Sequence, residues 1–176
     1  MATELPVLTG TDLRILLRPM NEEDQSVFRA FITESAELRR LIDNPAVPTE
    51  EDQMNWFRRC QEPDRQIFSI ATVATDDVIG NAGFTDIGVE EGVVQLRITI
   101  GDPYQGQGFG SEVMGLLLRY AFTVEEWEVV WLKVLADNER AIRLYEKSGF
   151  TLIPSLPEDD GKKRMMMSRD MFLSAA

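Results

Sequence analysis

Val93-Val94-Gln95-Leu96-Arg97-Ile98-Thr99-Ile100, then Gly101-Asp102-Pro103-Tyr104-Gln105-Gly106-Gln107-Gly108-Phe109-Gly110-Ser111, is the stretch on which the reading of this chain turns. The first eight residues are β-branched and apolar, with Gln95, Arg97 and Thr99 on the polar face, as in a strand packed on one side. From Phe109 the period changes. Phe109, Val113, Leu116, Leu117, Tyr120 and Val124 fall on one stripe at 3.6 spacing and predict a long helix. Gly106, Gly108 and Gly110 sit where the strand turns into that helix. Glycine permits positive φ and close backbone approach, while the first N–H groups of a helix lack internal partners and its dipole favours an anion. The stretch reads as a pyrophosphate cradle built from backbone. Its G-x-G-x-G spacing is not the dinucleotide G-x-G-x-x-G fingerprint, and no Gly-Lys-Ser/Thr follows, so it is not an NTPase phosphate loop.

Outward from this stretch, the elements alternate in type. Upstream, Leu13 to Arg18 predicts a strand closed by Pro19. Asn21-Glu22-Glu23-Asp24 starts a helix carrying Val27, Phe28, Phe31 and Ile32. Asp43 to Pro48 reads as loop, and Thr49-Glu50-Glu51-Asp52 as a capping box opening a second helix. Ile67 to Thr75, Val78 to Ile87 and Gly92 to Ile100 form a meander with turns at Asp76-Asp77 and Gly88–Glu91. Downstream come a buried-type strand, Val129 to Leu135, and a helix, Asn138 to Ser148, stopped by Gly149. Strands at Phe150–Ile153 and Arg164–Ser168 flank the acidic loop Glu158-Asp159-Asp160-Gly161. Strand–helix–strand–helix beside an antiparallel meander implies a mixed α/β sheet with one parallel crossover.

Composition narrows the chemistry. The 176 residues suit one domain, 1–176, with no repeat or linker. There is no histidine and a single cysteine, which removes Ser-His-Asp and Cys-His pairs and the usual zinc ligands. No metal is expected. Cys60 is either a reactive thiol beside Arg58 and Arg59 or a small packed hydrophobe. With 18 basic and 30 acidic residues the net charge is −12, which argues against nucleic acid or an anionic membrane as partner. The charge favours cationic molecules, or else serves only solubility. No leader or membrane-length apolar run is evident, so the cytoplasm is the expected location.

Two motifs then resemble a known family. Gln105-x-x-Gly108-x-Gly110 is similar to the Gln/Arg-x-x-Gly-x-Gly/Ala motif of the GNAT N-acetyltransferase superfamily. Asn138-x-x-Ala141-x-x-x-Tyr145-x-x-x-Gly149-Phe150 resembles its second cofactor segment. Leu17-Arg18-Pro19-Met20 with Glu22-Glu23-Asp24 resembles the branch of ribosomal-protein-alanine and spermidine N-acetyltransferases.

The resemblance implies a GNAT-like fold, acetyl-CoA as cosubstrate, and an amine of a small molecule or peptide as acceptor. It implies a gap between splayed fourth and fifth strands. There, backbone at Ile98, Thr99 and Ile100 would bond the pantetheine arm, one N–H would hold the oxyanion, and Gln105 through Ser111 (with Gly106, Gln107, Gly108, Phe109 and Gly110) would cradle the pyrophosphate. Asn138 would bind pantetheine and Tyr145 would protonate the CoA thiolate. At ~1.5 Å rise per residue the two lie about 10 Å apart on one helix face. Bland roles for both are an N-cap and a packed ring.

Many relatives of that branch carry Glu where Gln95 stands. Glutamine accepts no proton, which leaves the base to a carboxylate of the first two helices or the Gly88–Glu91 turn, to water, or to a different substrate. Arg97 either pairs with a neighbouring carboxylate or binds an acidic group of the substrate. Polyamine, ribosomal-protein N-terminus, aminoglycoside and free amino acid all remain open. So does oligomeric state, a homodimer being the commonest soluble assembly. Two other classes fit parts of the pattern: a non-catalytic acyl-CoA sensor on this fold, and a nucleotide-phosphate binder.

Overall fold

The computed structural model describes residues 4–176. In chain order the elements are β1 (Ile15–Pro19), α1 (Asp24–Glu34), α2 (Ala36–Leu41), α3 (Glu50–Arg59), β2 (Gln66–Thr72), β3 (Val78–Glu90) and β4 (Val93–Ile100). A short 3₁₀ turn (Asp102–Tyr104) leads to α4 (Phe109–Thr123), then β5 (Val129–Leu135), α5 (Glu139–Ser148), β6 (Thr151–Ile153), β7 (Lys162–Ser168) and α6 (Arg169–Ala175). The strands form one seven-stranded sheet in the order β1-β2-β3-β4-β5-β7-β6. All neighbours are antiparallel except β4 and β5. The expected mixed sheet with one parallel crossover is what forms.

Alternation of side chains assigns the two faces. Leu17, Phe68, Ile70, Phe84, Val94, Leu96, Val130 and Leu132 point to the face covered by α4, whose Val113, Met114, Leu117 and Phe122 complete the core. Edge-to-face rings, Phe68–Tyr120 at 5.8 Å and Phe84–Trp127 at 4.9 Å, extend that core toward the end of α4. The opposite face, bearing Ser69, Thr85, Gln95, Arg97 and Thr99, receives α1. Asp24 fastens α1 there. Its carboxylate accepts from Arg18 (2.8 and 3.0 Å), from the Ser69 hydroxyl (2.6 Å) and from the Asn21 N–H (3.0 Å), while Asn21 Oδ1 accepts from the Asp24 N–H.

The capping box at Thr49 and Asp52 forms with both reciprocal bonds. Cys60 is a packed hydrophobe: burial outweighs nearby Arg65 and Arg59 and pushes its thiol up to about 12. Several boundaries differ from expectation. β2 stops at Thr72, because the Thr72 and Thr75 hydroxyls and Asp77 tie the next residues into a turn. β3 continues past Gly88 to Glu90 through an irregular register, so the turn tightens to Glu91-Gly92. β7 begins at Lys162. Two helices had no expectation. α2 is capped by the Ser35 hydroxyl, which accepts from the Leu38 N–H. α6 is capped by Ser168 and packs Phe172 on Phe122, with Arg169 donating to the Phe122 carbonyl. Among the described residues no helix is long and apolar enough to cross a membrane.

Candidate functional site

The parallel ladder between β4 and β5 is short. It pairs Val93–Val129, Val94–Val130 and Gln95–Trp131, and then stops. β4 continues to Ile100, bonded only to β3, and β5 continues to Leu135, bonded only to β7. The two strands therefore splay, and backbone groups of Leu96–Ile100 that face β5 have no ladder partner. Backbone polar groups require partners, so this edge is a row of donors and acceptors open to a ligand. A cavity of about 500 Å³ fills the gap. Its wall includes Gln95 and Ile98–Ile100 on one side, Val134 and Leu135 on the other, and the glycine loop at one end.

The loop is built for backbone approach. Gly106 (φ 72°) and Gly108 (φ 84°) both occupy the left-handed region, and Gly108 is the N-cap of α4 with no side-chain cap. The amides of the first turn of α4 are thus open toward the cavity. Arg14 holds the loop from behind. Its Nη2 donates to the Gln107 carbonyl (2.9 Å), its guanidinium binds Glu112 and it stacks over Phe109 at 4.3 Å. Glu112, an acid in the first turn of α4, is thereby neutralised on the far side. Gln105 braces the loop, donating to the Ile100 carbonyl (2.7 Å) and accepting from Arg140.

These observations test whether a pyrophosphate-bearing arm fits, and it does: open amides, two glycines without Cβ and the Arg140 cation converge on one end. A valine at 108 would be forced into a left-handed conformation costing about 1–2 kcal/mol, with its Cβ 3.2 Å from Arg14. On the reading that this loop holds the phosphates of acetyl-CoA, Gly108→Val is expected to weaken its binding about tenfold or more. Equilibrium titration, with thermal melting to register the fold, checks this.

Asn138 and Tyr145 lie on α5 at the cavity wall. Asn138 is also the N-cap of α5, its Oδ1 accepting from the Ala141 N–H at 3.3 Å, which leaves its NH₂ group free to donate. The N-cap role of Asn138 is therefore filled, and its NH₂ group stays available at the cavity wall. Tyr145 is buried and packs against Phe150 at 6.0 Å between ring centres. Among the described residues its hydroxyl makes no hydrogen bond. Burial pushes its pKa up to about 12, so it is a proton holder at any ordinary pH.

Of the residues expected at the site, Gln95, Ile98, Thr99, Ile100, Gln105, Gly106, Gly108, Phe109, Gly110, Ser111, Asn138 and Tyr145 all border this cavity. Gln107 does not; its side chain turns back to the Pro103 carbonyl at 2.8 Å. Sequence reasoning missed Arg140, which lies inside the second motif, and Lys133 on β5. It also missed Leu38 and Leu41 of α2 and its C-cap Ile42, which line the cavity. Arg140 was findable, because it stands in the first turn of the helix that carries Asn138.

Arg97 had two expected roles, pairing with a neighbouring carboxylate or binding an acidic group of the substrate. Among the described residues it makes no ion pair. Desolvation draws its pKa below the usual arginine value, with Asp86 opposing and Arg65 reinforcing the shift. The cavity offers few bases. Asp43 is its one carboxylate among the described residues, and Lys162, bonded at 2.6 Å, holds Asp43 below the usual range.

With this geometry in hand, the chain was compared with known proteins. The acetyltransferase (GNAT) domain model matches residues 14–151. An uncharacterized N-acetyltransferase of Bacillus subtilis, the SPbeta prophage-derived YokL, is 28% identical over 147 residues, covering 83% of this chain and 81% of that protein. The spermidine N(1)-acetyltransferase of Vibrio cholerae is 28% identical over 108 residues, 57% of this chain and 62% of its own. The crystal structure of spermidine N-acetyltransferase from Vibrio cholerae, in complex with CoA and spermine, shares the fold. Its TM-score is 0.80 at 20% identity, over 91% of this chain and 98% of that one. The family model spans both motifs and both splayed strands, so the chain belongs to the GNAT acetyltransferase family and is an enzyme of the N-acetyltransferase class.

Proposed function

We propose that the protein transfers an acetyl group from acetyl-CoA to a primary amine, of a small molecule or a protein N-terminus, by direct attack within a ternary complex. The observation that carries this reading is the end of the β4–β5 ladder at Gln95–Trp131, with a cavity continuing from it to the open amides of α4. Backbone of Ile98–Ile100 beyond the end of the ladder with β5 supports an extended amide-bearing arm, and the Gly106–Ser111 loop with Arg140 supports its phosphates. The structure of the Vibrio cholerae relative contains CoA, which agrees with this reading.

Each step falls to a residue with suitable chemistry. Holding amine and thioester together supplies the orientation effect. A backbone N–H of β4 at the splay hydrogen-bonds the oxyanion, a preorganised donor needing no rearrangement. Tyr145 directs its hydroxyl at the leaving sulfur. With the tyrosine near 12 and a free thiol near 8.5, complete transfer of its proton is uphill by about 5 kcal/mol. Tyr145 therefore acts chiefly as a hydrogen-bond donor to the developing thiolate, more than as a free proton source. Gln95 positions the amine or a water, since it accepts no proton. With Asp43 held ionised by Lys162, the amine's proton leaves through water on the Gln95–Thr99 face.

The test is CoA-thiol release, with mass analysis of the acetylated product, across polyamines, aminoglycosides, amino acids and short peptides. The reading predicts turnover on one acceptor class. It also predicts a kcat/KM that rises with pH until the acceptor amine, of pKa about 10 if a lysine-type amine, is neutral. Acetyl-CoA binding without turnover on any amine would instead indicate an acyl-CoA-binding role. A profile levelling near pH 5 would point to a carboxylate base.

A further inference from the structure

The charges around the cavity run against the charge of the molecule. The protein carries −12 overall, yet its cavity is lined by the cations Arg97, Lys133, Arg140 and Lys162 and the single carboxylate Asp43. Most of these are accounted for. Lys162 is paired with Asp43 at 2.6 Å. Lys133 is paired with Asp159 at 3.0 Å, and no solvent reaches the Asp159 carboxylate because Arg164 and the Leu156 N–H also close over it. Arg140 stands at the glycine loop, where phosphates of the cosubstrate would lie. Arg97 alone has no assignment.

Its position is telling. Arg97 follows Gln95 on the same face of β4, two residues beyond the last ladder pair with β5 and so about 7 Å along the strand. Across the β3 ladder it faces Gly83, which has no side chain to cover it. Among the described residues no carboxylate lies within ion-pair distance of it; the Asp86 carboxylate favours its charge from further away, and the neighbouring Arg65, which has an unpartnered buried Nε, opposes it less strongly. A guanidinium left open beside a reaction centre repels a polycation. It also offers a planar fork that matches a carboxylate bidentately.

Resting on the acetyltransferase reading above, we propose that the acceptor amine carries a carboxylate, and that Arg97 is the residue that selects it. The acceptor is then amino-acid-like, in contrast to the spermidine that names the Vibrio cholerae relative.

Matched acceptors that differ only in the carboxylate test this: lysine against cadaverine, ornithine against putrescine, phenylalanine against phenethylamine. A short peptide with acidic side chains separates a free α-carboxylate from a side-chain one. The proposal predicts that the acid of each pair has the higher kcat/KM. Arg97→Gln is expected to lower that preference about 10²-fold, mainly through the KM of the acid, and Arg97→Lys to restore part of it. Preference for the decarboxylated amines, or an equal loss on both members in Arg97→Gln, would overturn it. The Arg97 side chain keeps part of its surface in solvent although its guanidinium is partly desolvated, and melting curves register whether the variants fold. If no amine is turned over, the acetyl-transfer reading fails by itself. The carboxylate claim is then decided by binding of N-acetylated acids against N-acetylated amines to the CoA-saturated protein. Selective binding of the acids that Arg97→Gln removes would uphold it, and equal binding would overturn it.

Discussion

Tyr145→Phe is expected to lower kcat about 10²-fold while leaving the affinity for acetyl-CoA nearly as it was. The substitution removes one oxygen and keeps the ring that packs on Phe150. Among the described residues the hydroxyl has no partner in the protein, so its deletion orphans no buried group. On the proposed mechanism, what is lost is a donor to the sulfur as negative charge develops there, an interaction made only in the transition state. A loss confined to kcat and kcat/KM, with KM steady, is the signature of such an interaction. Steady-state kinetics with acetyl-CoA varied, together with a direct binding titration, separates this from a packing defect. A variant retaining full turnover would remove Tyr145 from the chemistry and leave it as a core ring.

The largest effect on stability is expected far from the cavity opening, at Asp24. This carboxylate is 4% exposed and joins β1, β2 and the start of α1 through Arg18, Ser69 and Asn21. Replacing it with alanine leaves Arg18 without its main partner, a loss that typically costs 3–5 kcal/mol for a buried pair. Arg18 is 16% exposed and retains Asp76 at 3.0 Å, so we expect about 3 kcal/mol, the lower end of that range. For a chain of this length that is a fall in Tm of about 10 °C.

The pH dependence has a definite sign. Burial alone would raise the pKa of Asp24, but the hydrogen bonds from Arg18, Ser69 and Asn21 outweigh it and leave it lowered. A depressed carboxylate contributes its full stability above the unfolded value, near 3.9. That contribution disappears as pH falls through the folded value. The gap between wild type and Asp24→Ala in thermal melts is therefore constant near neutrality and closes only in acid, below about pH 4. A gap that closed on raising the pH would contradict this assignment.

Much of the site was legible because its chemistry uses backbone. Gly106 and Gly108 declare their positive φ in the sequence, and the change of period at Phe109 declares the helix whose amides they expose. Asn138 and Tyr145 were legible as two positions on one helix face. The chain order of strands and helices followed from alternating period, though not the place of β7 between β5 and β6, and the resemblance to the GNAT family supplied the splay between β4 and β5, which no local pattern encodes. A ladder that stops after three pairs is decided by what each strand does on its other side: β4 follows β3, while β5 follows β7.

What was not legible depends on distant contacts. α2 is only six residues long, and its apolar side chains gain meaning from the cavity they border. α6 was invisible because Arg169 and Phe172 are anchored by residues more than forty positions away. The side chain of Gln107, expected at the cosubstrate, instead closes the turn on Pro103, a local bond that sequence reasoning did not weigh. Arg97 had two readings in the sequence, and the absence of an ion pair to it among the described residues is what the proposed carboxylate selectivity rests on.

The most direct test of the central claim, that acetyl-CoA occupies the gap between β4 and β5, is amide hydrogen exchange with and without acetyl-CoA. The account predicts slowed exchange at Ile98–Ile100, across Gly106–Ser111 and in the first turn of α5, with little change at Phe68–Ile70 in the middle of β2. Protection that left β4 and the glycine loop untouched, or that appeared instead along β1 and β2, would contradict it.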